Sequence, residues 1–190
     1  MAFHKSETPI EGLWVIKPDV FGDKRGFFTE LYNQKHFEAI GLGHLNFVQD
    51  NLSSSRKGIV RGLHFQAPPH AQGKLVTVLQ GAVLDVAVDI RKGSPTYGQH
   101  YAIELHADEL TLFYIPPGFA HGFQVLSDHC LFSYKCTHFY NRPAEGGLRW
   151  DDPELNIPWR ELEAVVSEKD KQLPELKAFD SPFSFEASIH

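Results

Sequence analysis

The stretch RGLHFQAPPHAQGKL, Arg61 to Leu75, places an imidazole and an amine ten residues apart. His64 stands between Leu63 and Phe65 in a run that reads as a β-strand. It can be a packed core histidine, a metal ligand or a base. Three neighbours favour the base. Lys74 is costly to bury without an anionic partner, Arg61 precedes His64 by three residues, and Tyr134 lies in an unusual aromatic run. On strict alternation Arg61 and His64 face opposite ways. For both to line one pocket, the strand must bulge at Gly62.

The aromatic run, CLFSYKCTHFY, puts Phe132, Tyr134, Cys136, His138 and Tyr140 on one face if it is a single strand. That face reads as half of a barrel core, yet buried hydroxyls and imidazoles require partners. Tyr134 and Tyr140 would then lie ~20 Å apart. A ligand touching both is long, with one end for chemistry and the other for stacking, which is the shape of a nucleotide sugar. The basic residues Arg25, Arg61, Lys74 and Lys169 are scattered. Each alone reads as a solvated charge; brought together they could clamp a diphosphate. Asp170 reads equally well as a helix-capping acid.

A metal centre is weakly supported. Metal-binding barrels of the cupin kind carry roughly G-x5-H-x-H-x3-4-E and then P-x-G-x2-H-x3-N. Gly58 and His64 open the first pattern, but Gln66 takes the second histidine position and no glutamate follows at 70 or 71. Pro116, Gly118 and His121 meet the second pattern, which then ends on Val125. Two imidazoles remain where a catalytic metal takes three good protein ligands, so the expectation is no metal and no cofactor.

Short strands must position these side chains. Strand signals dominate from about residue 47 to residue 140: KLVTVL, AVLDVAVDI, HYAIELH, TLFYIP, GFQVL and CLFSYKCTHFY, separated by turns such as Gln80-Gly81 and the loop RKGSPTYG. In AVLDVAVDI, Leu84, Val86, Val88 and Ile90 share one face, and Val83, Asp85, Ala87 and Asp89 the other. The pattern is that of a mainly β sandwich, jelly roll or barrel. Helix signals are peripheral. NQKHFEAIG carries an Asn33 cap and a Gly41 stop, and SEKD, Ser167 to Asp170, has the form of a helix start. A Pro-rich stretch, Asp151 to Trp159, links barrel to tail.

The 190 residues suit one domain, 1–190, with a sizeable core. A net charge of -6 exerts no global pull toward nucleic acid polymers or anionic membranes, so an anionic ligand must be held by local cations. No apolar run approaches the roughly 18 residues that span a bilayer. MAFHKSETPIEG lacks the apolar core of a secretion signal. Cys130 and Cys136 on one strand would sit ~20 Å apart, beyond disulfide reach. The expected compartment is the reducing cytoplasm.

The ordered motifs D-K-R-G-F-F-T-E, F-V-Q-D-N, R-G-L-H-F-Q, Q-G-K-L, D-V-A-V-D-I-R-K-G-S-P-T, I-P-P-G-F-A-H-G-F, Y-K-C-T and S-E-K-D closely resemble the dTDP-4-dehydrorhamnose 3,5-epimerase family, from about Val15 to Lys171. The resemblance implies a cupin-type double-stranded β-helix with a few short peripheral helices, a homodimer, a dTDP-4-keto-6-deoxyhexose substrate and no metal. It implies that His64 is the base, Tyr134 the acid, Lys74 the cation near the enolate oxygen and Asp170 the carboxylate paired with the base. It assigns Arg25, Glu30, Gln49, Asp50, Asn51, Arg61, His121, Glu145 and Lys169 to nucleotide or sugar contacts. Phe21 and Tyr140 would flank the thymine, and Asp85 would pair with His121 near the sugar. Part of the site around Arg25 and Glu30 would come from the partner subunit. His138 departs from the pattern, where an acidic or amide residue is more usual, and nothing after Leu176 matches.

Other readings stay open. A relative acting at carbon 3 or carbon 5 alone would keep the same residues and differ in ring placement. A noncatalytic sugar- or nucleotide-binding barrel would bind ligand without isotope exchange. A metal-dependent oxygenase of the same fold would purify with stoichiometric iron or manganese.

Overall fold

Residues 82–90, AVLDVAVDI, are apolar on both faces but for two aspartates, and such a strand must be covered on both sides. The structure, a computed structural model describing residues 1–185, does this with two facing sheets and an outer layer of chain. The strands are β1 (Phe3–Glu7), β2 (Trp14–Pro18), β3 (Val20–Asp23), β4 (Gly26–Thr29), β5 (Gln49–Arg56), β6 (Val60–Gln66), β7 (Lys74–Gln80) and β8 (Ala82–Asp89). They continue with β9 (Arg91–Lys92), β10 (His100–His106), β11 (Leu112–Ile115), β12 (Phe119–Val125), β13 (His129–Cys136), β14 (Glu145–Gly147) and β15 (Phe183–Ser184). The short helices are α1 (Gln34–Ala39) and α2 (Glu168–Lys171). One sheet runs β1-β2-β11-β7-β13-β5 and the other β10-β8-β12-β6-β14, a jelly-roll arrangement of antiparallel pairs.

The alternation of β8 decides what each layer contains. Val83 and Ala87 point between the sheets and pack with Val76, Phe113, Phe123 and Phe132. Leu84, Val86, Val88 and Ile90 point outward and are covered by Leu155, Phe183 and partly buried Trp159 and Phe179. The Pro-rich stretch and the chain after it therefore form the outer wall of the second sheet. On the far side, Phe37 of α1 with Leu42 and Leu45 covers Ile16, Leu75 and Leu112 of the first sheet. Between the sheets, Phe123 and Phe132 stack with ring centroids 4.1 Å apart.

Local expectations held where a cap or an alternation set them. Asn33 accepts the Lys35 amide at 3.1 Å, and Gly41 has φ +79°. Ser167 caps α2 by accepting the Asp170 amide at 3.1 Å. Cys130 and Cys136 are buried free thiols on β13.

Two expectations are corrected. Strands begin at residue 3, not near 47, because β1 and β2 are short, partly polar strands that gain their pairing only by extending the first sheet through β11. The aromatic stripe ends at Cys136. Thr137 donates its amide to the Gly73 carbonyl, and Gly73 donates its own to the Thr137 hydroxyl at 2.8 Å, which turns the chain away. His138 and Tyr140 thus lie on the segment that follows β13.

The bulge required at Gly62 is present. β12 pairs His121 with His64 and Phe123 with Arg61, so Gly122 alone faces Gly62 and Leu63. Gly62 has φ +126°, and a Cβ there would stand 2.5 Å from Gly122 Cα and 2.8 Å from the His121 carbonyl oxygen. Glycine is needed on both counts. Gly62→Ala is expected to destabilise the fold by about 2 kcal/mol or more, read as a lower urea midpoint. A wild-type midpoint would show that β6 can re-route at no cost.

Candidate active site

With the bulge in place, Arg61 and His64 line one cavity of about 490 Å³ between the sheets. The second sheet supplies Arg61, His64, His121 and Phe123; the first supplies Lys74, Phe132 and Tyr134. Val165, Ser167, Lys169 and Asp170 close it from the C-terminal strap. A second cavity of about 260 Å³ shares His64, Lys74 and Tyr134 and continues to Gln49, Asn51, Tyr140 and Glu145.

The strap is anchored before it reaches the cavity. Gln124, buried on β12, donates to the Arg160 carbonyl at 3.2 Å and accepts its amide at 2.8 Å. Val165 bridges Ile59, and the Val60 amide donates to the Val165 carbonyl at 3.0 Å. Ser167 then starts α2, which delivers Asp170 to His64 with Oδ1 2.7 Å from Nε2. The Gly62 amide donates to the other carboxylate oxygen at 3.3 Å. Asp170 therefore caps nothing; Ser167 is the cap. Burial alone would push its carboxyl up, but the His64 hydrogen bond and charge, with the Gly62 and Ser167 donors, hold it below the usual range.

The remaining groups are tuned mainly by burial. Lys74 keeps some accessible area because it lines an open cavity, but protein crowds the ammonium, and burial lowers its pKa against the opposing pull of Cys136, Asp85 and Glu145. Its Nζ stands 6.0 Å from the Tyr134 ring centroid. Burial raises the Tyr134 phenol, which keeps its proton. His121 Nε2 lies 3.0 and 3.1 Å from the oxygens of fully buried Asp85. Burial, helped by the charges of Lys74 and His64, outweighs Asp85 and lowers the His121 pKa. At the rim, Glu145 bonds Lys169 at 2.6 Å and accepts from the Tyr140 hydroxyl at 3.1 Å. Burial opposes its ionisation, yet these partners hold it below the usual carboxylate range.

The structure gathers many of the residues singled out in the sequence and leaves others apart. His64, Lys74, Tyr134, Asp170, Arg61, His121, Gln49, Asn51, Tyr140, Glu145 and Lys169 line the two cavities. Asp50 does not: alternation along β5 turns it to the other face of the sheet, where Lys135 holds it at 2.8 Å. Phe21 and Arg25 lie on the β3–β4 hairpin, and Arg25 bonds Asp23 of the same turn. Glu30 bonds Asn33 and His36 instead. Sequence reasoning gave no role to Ser53, Val165 and Val166, which carry no local signal, or to Gln72, which opens the motif Q-G-K-L. Among the described residues, no set of three or more His, Cys, Asp or Glu side chains is placed to hold a metal ion. No described helix is long and apolar enough to cross a membrane.

An imidazole, a phenol and an ammonium around one cavity of a cupin-type jelly roll define a barrel enzyme equipped for acid–base chemistry. A family model described as dTDP-4-dehydrorhamnose 3,5-epimerase matches residues 7–178. The chain is 51% identical over 160 residues to the dTDP-4-dehydrorhamnose 3,5-epimerase of Pseudomonas aeruginosa, covering 83% of this chain and 87% of that one. It is 49% identical over 164 residues to that of Shigella flexneri, covering 86% and 91%. The crystal structure of dTDP-6-deoxy-D-glucose-3,5-epimerase from Legionella pneumophila in complex with dTDP-4-keto-L-rhamnose superposes with a TM-score of 0.92 at 45% identity, covering 97% of this chain and 100% of that one. The chain belongs to the dTDP-4-dehydrorhamnose 3,5-epimerase family.

Asp170 links the site to stability. Its folded carboxyl ionises below its unfolded value, so the ion stabilises the fold above ~pH 4, and that gain is lost as pH falls through the folded value. Asp170→Asn should flatten the drop in urea midpoint between about pH 5 and pH 3. Equal slopes for variant and wild type would mean that the carboxylate adds no pH-dependent stability.

Proposed function

We propose that this chain, working as one domain, converts dTDP-4-dehydro-6-deoxy-D-glucose to dTDP-4-dehydro-L-rhamnose by epimerisation at carbons 3 and 5. The observation that carries the reading is that His64 and Tyr134 come from opposite sheets and line one cavity. Epimerisation needs this opposition: a proton leaves one face of the ring and another returns to the opposite face.

The carbon-4 ketone acidifies the protons on carbons 3 and 5. His64 removes one, and the electron pair moves onto the ketone oxygen to give an enolate. Lys74 supplies positive charge for that oxygen, and burial strengthens the attraction. Asp170, held ionised, orients the imidazole and stabilises the imidazolium formed by abstraction. Tyr134, kept protonated by burial, returns a proton to the carbon from the other side. Arg61 and Lys169 suit the diphosphate, and Tyr140 suits the face of the thymine. His64 and His121 each direct Nε2 at a carboxylate, so these residues serve proton chemistry in this reading, with no metal or cofactor.

The β3–β4 hairpin supports a homodimer. Phe21, Phe27 and Phe28 are exposed on it, and neither Phe21 nor Arg25 reaches the cavity of its own chain. In a dimer, the hairpin of each copy would complete the thymine end of the other's site. Sedimentation should then give twice the 21.5 kDa chain mass; a monomer with full activity overturns the arrangement.

Incubated with the substrate in heavy water, the protein should place deuterium at both carbons 3 and 5, read by mass and proton NMR. Label at one carbon assigns it to single-site epimerisation, and none to a binding barrel or another substrate. His64→Ala should lower turnover ~100-fold or more with nucleotide affinity kept; near-normal exchange removes the base assignment. Tyr134→Phe should keep deuterium uptake and lose epimer, so a normal epimer yield would transfer the acid role elsewhere.

A further inference from the structure

The segment after β13 carries Tyr140 without a strand to hold it. The ladder ends at Cys136, and Tyr140 is 57% exposed. No other ring packs on it among the described residues; its hydroxyl bonds only Glu145. Its placement therefore depends on what grips the backbone on either side.

Three glutamines share that grip: Gln49 Oε1 accepts the Tyr140 amide at 2.9 Å, Gln72 donates to the His138 carbonyl at 2.7 Å, and Gln66, 4% exposed at the end of β6, holds the residues on both sides of Tyr140. Gln66 Nε2 donates to the Phe139 carbonyl at 3.2 Å and to the His70 carbonyl at 2.7 Å. Its Oε1 accepts the Asn141 amide at 2.7 Å. Tyr140 is bracketed by two of these bonds. Gln66 also pairs in register with Glu145, the partner of the Tyr140 hydroxyl. It sits two residues beyond His64 on the same strand, at the place where a metal-binding barrel of this fold would carry a second histidine. Gln66 borders the smaller cavity, but both its amide protons and its oxygen are engaged by backbone, so the carboxamide acts as a latch. Only a side chain with both donor and acceptor can hold carbonyls and an amide together.

We infer that Gln66 is a positioning residue for nucleotide recognition: it locks residues 139–141 to the base-bearing strand and so holds Tyr140 ready for the thymine ring. This rests on the functional reading above. It divides the work of β6, with His64 acting on the sugar and Gln66 acting through Tyr140 on the nucleotide.

Thymidine 5'-diphosphate (dTDP) is the probe. Gln66→Met fills the space without the hydrogen bonds. Its dTDP Kd and substrate KM should rise about tenfold, with kcat at saturation kept within about twofold. In a Tyr140→Ala background the same substitution should add almost nothing. Wild-type dTDP affinity in Gln66→Met, or an undiminished penalty without Tyr140, overturns the inference. Hydrogen exchange on the wild-type protein tests it without any variant. The Asn141 amide, which Gln66 accepts, should be protected before dTDP is added; fast exchange there that slows only on adding dTDP would mean that the ligand orders the segment, and the latch fails. If the wild-type protein neither binds dTDP nor labels the substrate, the functional reading fails, and the exchange result alone then decides whether the latch exists.

Discussion

The hydrogen bond between His64 and Asp170 joins residues 106 apart and ties the second sheet to the strap that closes the cavity. Much of the site follows from it. Asp170 reaches His64 because Ser167 starts α2 at the right place and because Val165 is already bridged to Ile59. It is received by the Gly62 amide, which points inward because the strand bulges there. The same bulge brings Arg61 to the cavity beside His64. A buried carboxylate without these donors would be costly, and an imidazole without the carboxylate would lack a fixed orientation. The outer wall formed by residues 155–183 is thus a structural cover and also the carrier of a proposed catalytic group.

Between the sheets the molecule keeps charge in a largely apolar layer. Lys74, His121, Asp85 and Tyr134 sit beside Phe123 and Phe132. Burial works on them in opposite senses, lowering the lysine and histidine and raising the phenol. A low local dielectric makes an unpaired cation there expensive and makes it more effective toward an oxyanion. The rim behaves differently. There Glu145, Lys169 and Tyr140 form a bonded cluster that meets solvent and suits the recognition of a charged, aromatic ligand end.

Much of this was legible in the chain. The alternation of residues 82–90 announced a strand and sorted its side chains onto two faces, and the caps at Asn33 and Ser167 placed both helices. The need for a bulge at Gly62 followed from wanting Arg61 and His64 on one side. The ordered motifs identified the family and most of the cavity residues. The stripe from Phe132 to Tyr140 read as one strand because its side chains alternate, and alternation carries no information about where pairing stops. The N-terminal strands were invisible for a related reason: FHKSE and WVIKP become strands only through neighbours far away in sequence. Asp50 was placed with Gln49 and Asn51 by motif, although the pleat must turn it the other way.

The sequence by itself determined the layered β architecture, the types of group available for chemistry and the positions where glycine or a cap was obligatory. These are local matters, set by side-chain period, backbone sterics and hydrogen-bonding capacity. Only the tertiary structure decided which groups meet. The 2.7 Å contact of His64 with Asp170, the enclosure of Lys74 and the three-way bonding of Gln66 join segments separated along the chain, through packing and hydrogen bonds that no local pattern encodes.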